Sequence, residues 1–332
     1  MAKPIIAVTM GDPAGIGPEL IVKVLSEQHV YGRCHPVVVG VPGVMNEINE
    51  AIGADLSFRP IEDVTQARFS LPEVDVLRPE GLDVSGVEWG RLDPAMGDAA
   101  ARCLRTALEL GMDGRVHGVV SAPMNKEAFH LAGYDYLDEL AYMADLSASD
   151  KTFIVGVMAD RIWTAAVTEH VPFSEILDAI TEDNVEWYIV RMDEALRQVG
   201  FGAPRIAVAA LNVHGGEGGL FGREEIDEIE PAIQAAQAQG IDARGPVPAD
   251  TVFPRALAGE FDGVVCMYHD QANIARKLQP MHQRVTLFFG LPVICGTTAH
   301  GTAFDIAGQG VADPGSLAAA LKYAVLLAAK GR

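Results

Sequence analysis

The chain has 332 residues, of which 49% are hydrophobic and 21% charged, with a formal net charge of −20. That length holds one large or two ordinary domains with a sizeable core, and the acidic balance without a basic patch argues against nucleic acid or an anionic membrane as partner. The opening Met1-Ala2-Lys3-Pro4 lacks the apolar stretch and cleavage site of a signal peptide, and the longest apolar run, residues 317–329, is interrupted by Lys322, so a soluble cytoplasmic protein is expected.

Taken in chain order, strands are predicted over residues 5–9, 36–40, 116–121, 153–158, 163–167, 206–211 and 264–267, from short runs rich in β-branched residues. Helices are predicted between them over 18–26, 97–110, 182–199, 223–238 and 317–329. Thr181 supplies an N-cap and Gly200 a stop for the third of these. Such alternation predicts an α/β fold with a largely parallel sheet. No repeat, low-complexity tract or Pro- or Ser-rich linker divides the chain. Cys34, Cys103, Cys266 and Cys295 show no paired spacing and read as buried thiols, not as a cysteine zinc site.

Three motifs carry chemistry. Gly11-Asp12-Pro13-Ala14-Gly15-Ile16-Gly17-Pro18-Glu19 lies at the first strand-to-helix turn, where backbone N–H groups approach an anion, although it is neither a Walker loop nor a G-x-G-x-x-G turn. His170, His214 and His269 each follow a predicted strand, the place where ligands bind in open α/β sheets, and three imidazoles leave a divalent ion open to a substrate oxygen. His300-Gly301-Thr302-Ala303-Phe304-Asp305-Ile306-Ala307-Gly308 offers tight backbone approach together with a donor and an acceptor suited to a nucleoside.

In their order and wording these motifs, with Ser121-Ala122-Pro123-Met124-Asn125-Lys126, Gly245 to Thr251 and Met267 to Gln271, resemble the 4-hydroxythreonine-4-phosphate dehydrogenase family over essentially the whole chain. More distantly, the first and third motifs are similar to segments of isopropylmalate and isocitrate dehydrogenases. The resemblance implies a two-domain α/β subunit with an active cleft between domains. Residues 1–122 with 285–332 would bind cofactor, and residues 123–284 would carry the metal and the dimer contact. It implies a homodimer with shared sites, NAD or NADP held by His300, Gly301, Thr302, Asp305 and Gly308, and one divalent ion on His170, His214 and His269, with zinc preferred over magnesium or manganese. Hydride leaves a hydroxyl carbon beside a carboxylate, which then departs as carbon dioxide. Lys277, a substrate contact, and Asp250 are the candidates for removing the hydroxyl proton.

The departures concern substrate. Glu139 and Leu140 stand where the family has a His-Thr pair, Thr286 where it has Asn, and Cys295 where it has a phosphate-binding Arg. The expected substrate therefore lacks a phosphate and is a carboxylated aromatic cis-dihydrodiol, as for the terephthalate dihydrodiol dehydrogenases of this family. The alternatives are the vitamin B6 biosynthetic activity itself, with Arg276 or Arg284 reaching the phosphate, and a metal-dependent hydrolase or acyl-phosphate transferase.

Overall fold

The computed structural model describes residues 2–330. Its strands are β1 (Ile5–Thr9), β2 (His35–Val39), β3 (Ser57–Ile61), β4 (Glu73–Leu77), β5 (Gly118–Ser121), β6 (Phe153–Met158), β7 (Ile162–Thr168), β8 (Arg205–Ala209), β9 (Asp242–Val247), β10 (Gly263–Tyr268), β11 (Arg284–Phe289) and β12 (Cys295–Thr298). The chain forms two compact units, one joining the residues up to Phe153 to those from Val285 on, the other Ile154–Arg284.

In the first unit the strand order is β3-β4-β2-β1-β5-β12-β11. Its neighbours run parallel except β11 and β12, which are antiparallel. β1 is buried along nearly its whole length, which is why Ile-Ile-Ala-Val-Thr shows no alternation: a parallel strand covered on both faces needs apolar residues on each. In the second unit the order is β6-β7-β10-β8-β9, with β7, β10, β8 and β9 parallel and β6 antiparallel to β7. Ile162, Ala207, Phe253, Phe261, Val264 and Cys266 belong to its core.

The α/β expectation holds, with two antiparallel pairings added to the parallel sheet. β11 and β12 were not anticipated, nor were β3, β4 and β9. Arg59-Pro60, Asp75 and Arg244-Gly245-Pro246 interrupt any apolar pattern there, and β3 and β9 close their units' strand orders at an edge, where a proline costs no ladder bond. The helix Glu182–Val199 starts and stops as expected: the Thr181 hydroxyl accepts from Asn184 N–H, and Gly200 ends it at φ 107°. The helix expected over 223–238 instead opens with a π-turn, Glu225–Ile229, before the α-helix Glu230–Ala238. All four cysteines are buried and free. Among the described residues no helix is long and apolar enough to cross a membrane.

Candidate active site

Parallel strands release their following loops at one edge, so the carboxyl ends of β7, β10, β8 and β9 bring four loops to the same side of the second unit. Register then decides which side chains meet. Tyr268 pairs with Thr168, so Glu169 and His170 leave β7 beside His269 leaving β10. Among the described residues, Glu169, His170 and His269 form a group whose ligand atoms all lie within 4.8 Å of one another. The two imidazole centroids are 5.9 Å apart. They line a hollow of about 240 Å³ with Val171, Phe173, Ile176 and Tyr268.

The supports of this group are themselves bonded. The Thr168 hydroxyl donates to Met267 carbonyl at 2.9 Å. Gln271 accepts from Met267 N–H at 2.8 Å and donates to Ala210 carbonyl at 2.9 Å, tying the ends of β10 and β8 together. His269 Nδ1 pairs with Asp270 Oδ1 at 2.8 Å, which orients the ring and leaves Nε2 for an ion. Two imidazoles and one carboxylate with a carboxylate-oriented histidine are a donor set that fits a divalent ion.

His214 stands outside this group. Beyond β8 the chain enters a tight turn in which His214, Gly215, Gly216, Glu217 and Gly218 all have positive φ, and His214 is exposed with Nδ1 3.3 Å from Glu217. The turn is pinned from below by the buried Glu225, whose Oε1 accepts from Leu211 and Asn212 N–H at 2.9 and 2.7 Å. Lys277 is exposed at the end of the helix His269–Lys277, and Asp250 is exposed in the first turn of the helix Ala249–Leu257. Arg276 lies half-buried over Gly156, with its guanidinium bonded to Asn273 and Glu169 as its charge neighbour.

In the first unit, three of the substrate candidates share one patch. Thr286 on β11 faces Thr297 on β12, Thr297 faces Ser121 on β5, and the Ser121 hydroxyl donates to Glu139 at 2.8 Å. Cys295, two residues before Thr297 on the same strand face, is buried, and the nearby Glu139 charge adds to burial in raising its thiol. Burial pushes the Glu139 carboxyl up to about 7, against the Ser121 and Thr297 hydroxyls and the Lys126 charge that draw it down. Leu140 is buried beside it.

The first and third motifs also meet in this unit. Glu19, fully buried on the helix Gly17–Leu25, accepts from Ala312 N–H at 2.8 Å and Gly310 N–H at 3.1 Å. Lys23, one turn on, donates to Glu19 at 2.8 Å and to the carbonyls of Ala312 and Gly310 at 2.7 and 2.9 Å. Ile16 N–H donates to Thr302 carbonyl at 3.0 Å, and a Cβ at Gly15 would come within 2.9 Å of Thr302 Cβ. Thr302 is thereby buried, while Gly301 and Asp305 remain exposed on the surface of the loop. A Cβ at Gly301 would meet nothing within 4 Å, so the loop is open to a ligand at that point. Asp12 is fully buried, with Oδ1 accepting from Ala14 N–H at 2.8 Å, and burial raises its carboxyl to about 6.

Sequence reasoning passed over Glu169 as a ligand, the Ser121 and Thr297 partners of Glu139, and the Glu19–Lys23 clamp. Each stood inside or next to a quoted motif, but its partner lies on another strand or nearly the whole chain away.

A metal-ready strand edge in one unit and a glycine-rich loop in the other suit an oxidoreductase acting on a CH–OH group, and comparison with known proteins gives that class directly. The family described as pyridoxal phosphate biosynthetic protein PdxA matches residues 32–324, and the chain belongs to it. It is 41% identical to D-threonate 4-phosphate dehydrogenase of Salmonella typhimurium, covering 97% of this chain and 98% of the relative. Among solved structures it is similar to 4-hydroxythreonine-4-phosphate dehydrogenase from Klebsiella pneumoniae, at TM-score 0.86 and 39% identity over 98% of this chain and 100% of that one. It is also similar, at TM-score 0.64 and 27% identity over 98% of each chain, to a terephthalate 1,2-cis-dihydrodiol dehydrogenase from Burkholderia xenovorans. The hydrolase or acyl-phosphate transferase alternative falls with the family assignment.

Replacing Glu19 by Ala leaves the N–H groups of Ala312 and Gly310 without their acceptor and the Lys23 ammonium without its counter-charge, which should destabilise the protein by about 2–5 kcal/mol. Urea unfolding of Glu19→Ala beside wild type measures this, and an unchanged midpoint would show that the clamp contributes nothing.

Proposed function

We propose that this chain uses NAD or NADP to oxidise the hydroxyl beside a carboxylate in a small acyclic hydroxy acid, the carboxylate then leaving as carbon dioxide. The juxtaposition of Glu169, His170 and His269 at the carboxyl edge of β7 and β10 is the observation that carries this reading. When bound, a divalent ion supplies Lewis acidity toward the alcohol and carbonyl oxygens, zinc being the first choice for imidazole ligands, and the nicotinamide supplies the hydride acceptor. Lys277, on the helix that begins with His269, and Asp250, at the same strand edge, are the side chains this reading gives to removal of the hydroxyl proton. The loop containing His300, Gly301, Thr302, Asp305 and Gly308, clamped to the first helix, holds the dinucleotide.

For the substrate, the names of the more similar relatives favour a phosphorylated hydroxy acid of the D-threonate 4-phosphate or 4-hydroxythreonine 4-phosphate kind. The dihydrodiol reading has the weaker likeness behind it and yields to this one. A second reading, an unphosphorylated hydroxy acid, is favoured by one specific feature: Glu139 faces Ser121 where the family carries a histidine, and Cys295 is buried where it carries an arginine. A phosphate dianion needs cationic donors and would meet a carboxylate here.

An exposed His214 that joins no ligand group among the described residues suits a site completed by a second copy, with His214 of the partner subunit as the third imidazole. Either His170→Ala or His269→Ala should lower zinc bound after dialysis from near one per chain to a small fraction, by metal analysis. Full retention in the double variant would overturn the assignment. If the site is shared, mixing His214→Ala with His269→Ala subunits restores one intact site per heterodimer, so about a quarter of wild-type turnover returns on random exchange. Activity that stays at the level of the separate variants after confirmed exchange would count against sharing.

Substrate and pH can be tested together through NADH absorbance. Glu139 is held protonated up to about 7, so below that pH it donates to an anion and above it repels one. The KM for a phosphorylated substrate should therefore rise as pH passes from 6 to 8 through this value, and Glu139→Gln should flatten the profile. D-threonate 4-phosphate and D-threonate assayed side by side separate the two substrate readings. No turnover of either, with metal and both dinucleotides present, would overturn the proposed reaction.

A further inference from the structure

We propose that Trp89 is the platform on which the adenine of the bound dinucleotide stacks, an inference that rests on the reading of residues 300–308 as the cofactor loop. The chain reaches this point through an irregular stretch, yet Trp89 is held by backbone against its ring and by the contacts of its neighbour Gly90. Its six-membered ring lies on Gly308: a Cβ at Gly308 would come within 2.2 Å of Trp89 Cε3 and 2.6 Å of Cδ2. Those two distances mean that the glycine backbone approaches the ring from a face more than from its edge, and Gly308 has φ +75°, which itself disfavours any side chain. Next to the indole, Gly90 N–H donates to Ala14 carbonyl at 2.8 Å, and a Cβ at Gly90 would come within 2.5 Å of Phe304 carbonyl oxygen.

The stretch that carries Trp89 is thus tied next to the indole to the glycine-rich turn through Ala14 and to the loop at Phe304, while Gly308 of that loop packs on the indole itself. Gly308 seats the ring and Gly90 lets its segment pass the Phe304 carbonyl, and still Trp89 is 37% exposed. A tryptophan placed only to fill a core would be covered, as Trp163 is at 2%. An indole fixed on one side by backbone and open elsewhere has lost its conformational freedom before a ligand arrives, and a purine has the flat apolar face that such a surface takes. Asp305, exposed on the same loop, is positioned to accept from hydroxyls of an adjoining sugar.

Tryptophan fluorescence and calorimetric titration test this on the full-length protein, with NAD+, NADP+ and ADP-ribose as probes, the last carrying adenine without nicotinamide. In wild type, the preferred dinucleotide and ADP-ribose should both quench emission. Trp89→Phe should bind with affinity within a few-fold of wild type but lose most of the quenching, because the tryptophans that remain, Trp163 and Trp187, both belong to the second unit. Trp89→Ala, checked for native circular dichroism, should weaken binding by about ten- to a hundredfold. Equal affinity of wild type and Trp89→Ala, or wild-type quenching that survives in Trp89→Phe, overturns the proposal while leaving the cofactor loop in place. Failure of wild type to bind either dinucleotide overturns the loop assignment and the proposal with it.

Discussion

The parallel pairing of β7 with β10 is the constraint from which the candidate site follows. Two parallel strands at matched register end at the same level, and the pairing of Thr168 with Tyr268 delivers Glu169-His170 and His269 to one edge as near neighbours. No loop has to fold back to bring them together. The Thr168 hydroxyl bond to Met267 lies directly beneath, so a slip of one residue in this ladder would break it and turn the candidate ligands to opposite faces. The candidate ion site is thus built on the sheet's own edge, and its three side chains begin loops that start from fixed points.

A second principle organises the other unit, where a buried ion pair joins distant segments instead of strand ends. Glu19 without Lys23 would be an uncompensated buried carboxylate, and Lys23 without Glu19 would leave the segment around Gly310 held only by its carbonyls. Together they use nearly all their hydrogen-bonding capacity on backbone groups of the loop that follows the third motif. The loop 300–308 is therefore anchored at both ends, by Ile16 at Thr302 and by the Glu19–Lys23 pair at 310–312. An anchored loop can present its backbone to a ligand without ordering itself on binding.

The patch around Glu139 has a different character. It is polar, half-buried and built on β5 and β12, and its carboxyl is raised toward neutrality by burial. In place of a strong fixed charge it offers a group whose protonation follows the surroundings. Family membership names the reaction class, while the chemistry of a patch is set by its own residues.

What the sequence by itself determined is the α/β class, the family, the helix boundaries with clear caps such as Thr181 and Gly200, and the placement of histidines after strands. Those features are written in short range: apolar runs, turn residues and motif wording. The edge strands β3 and β9 were illegible because prolines and charges that an edge tolerates erase the apolar pattern. Only the tertiary structure decided that β7 and β10 are neighbours, that Glu169 joins two of the histidines while His214 turns away on a run of positive-φ residues, and that Glu19 grips a segment 291 residues distant. Strand order and long-range partnering depend on how whole faces pack, and that information is spread over the entire chain, not held at the residues that use it.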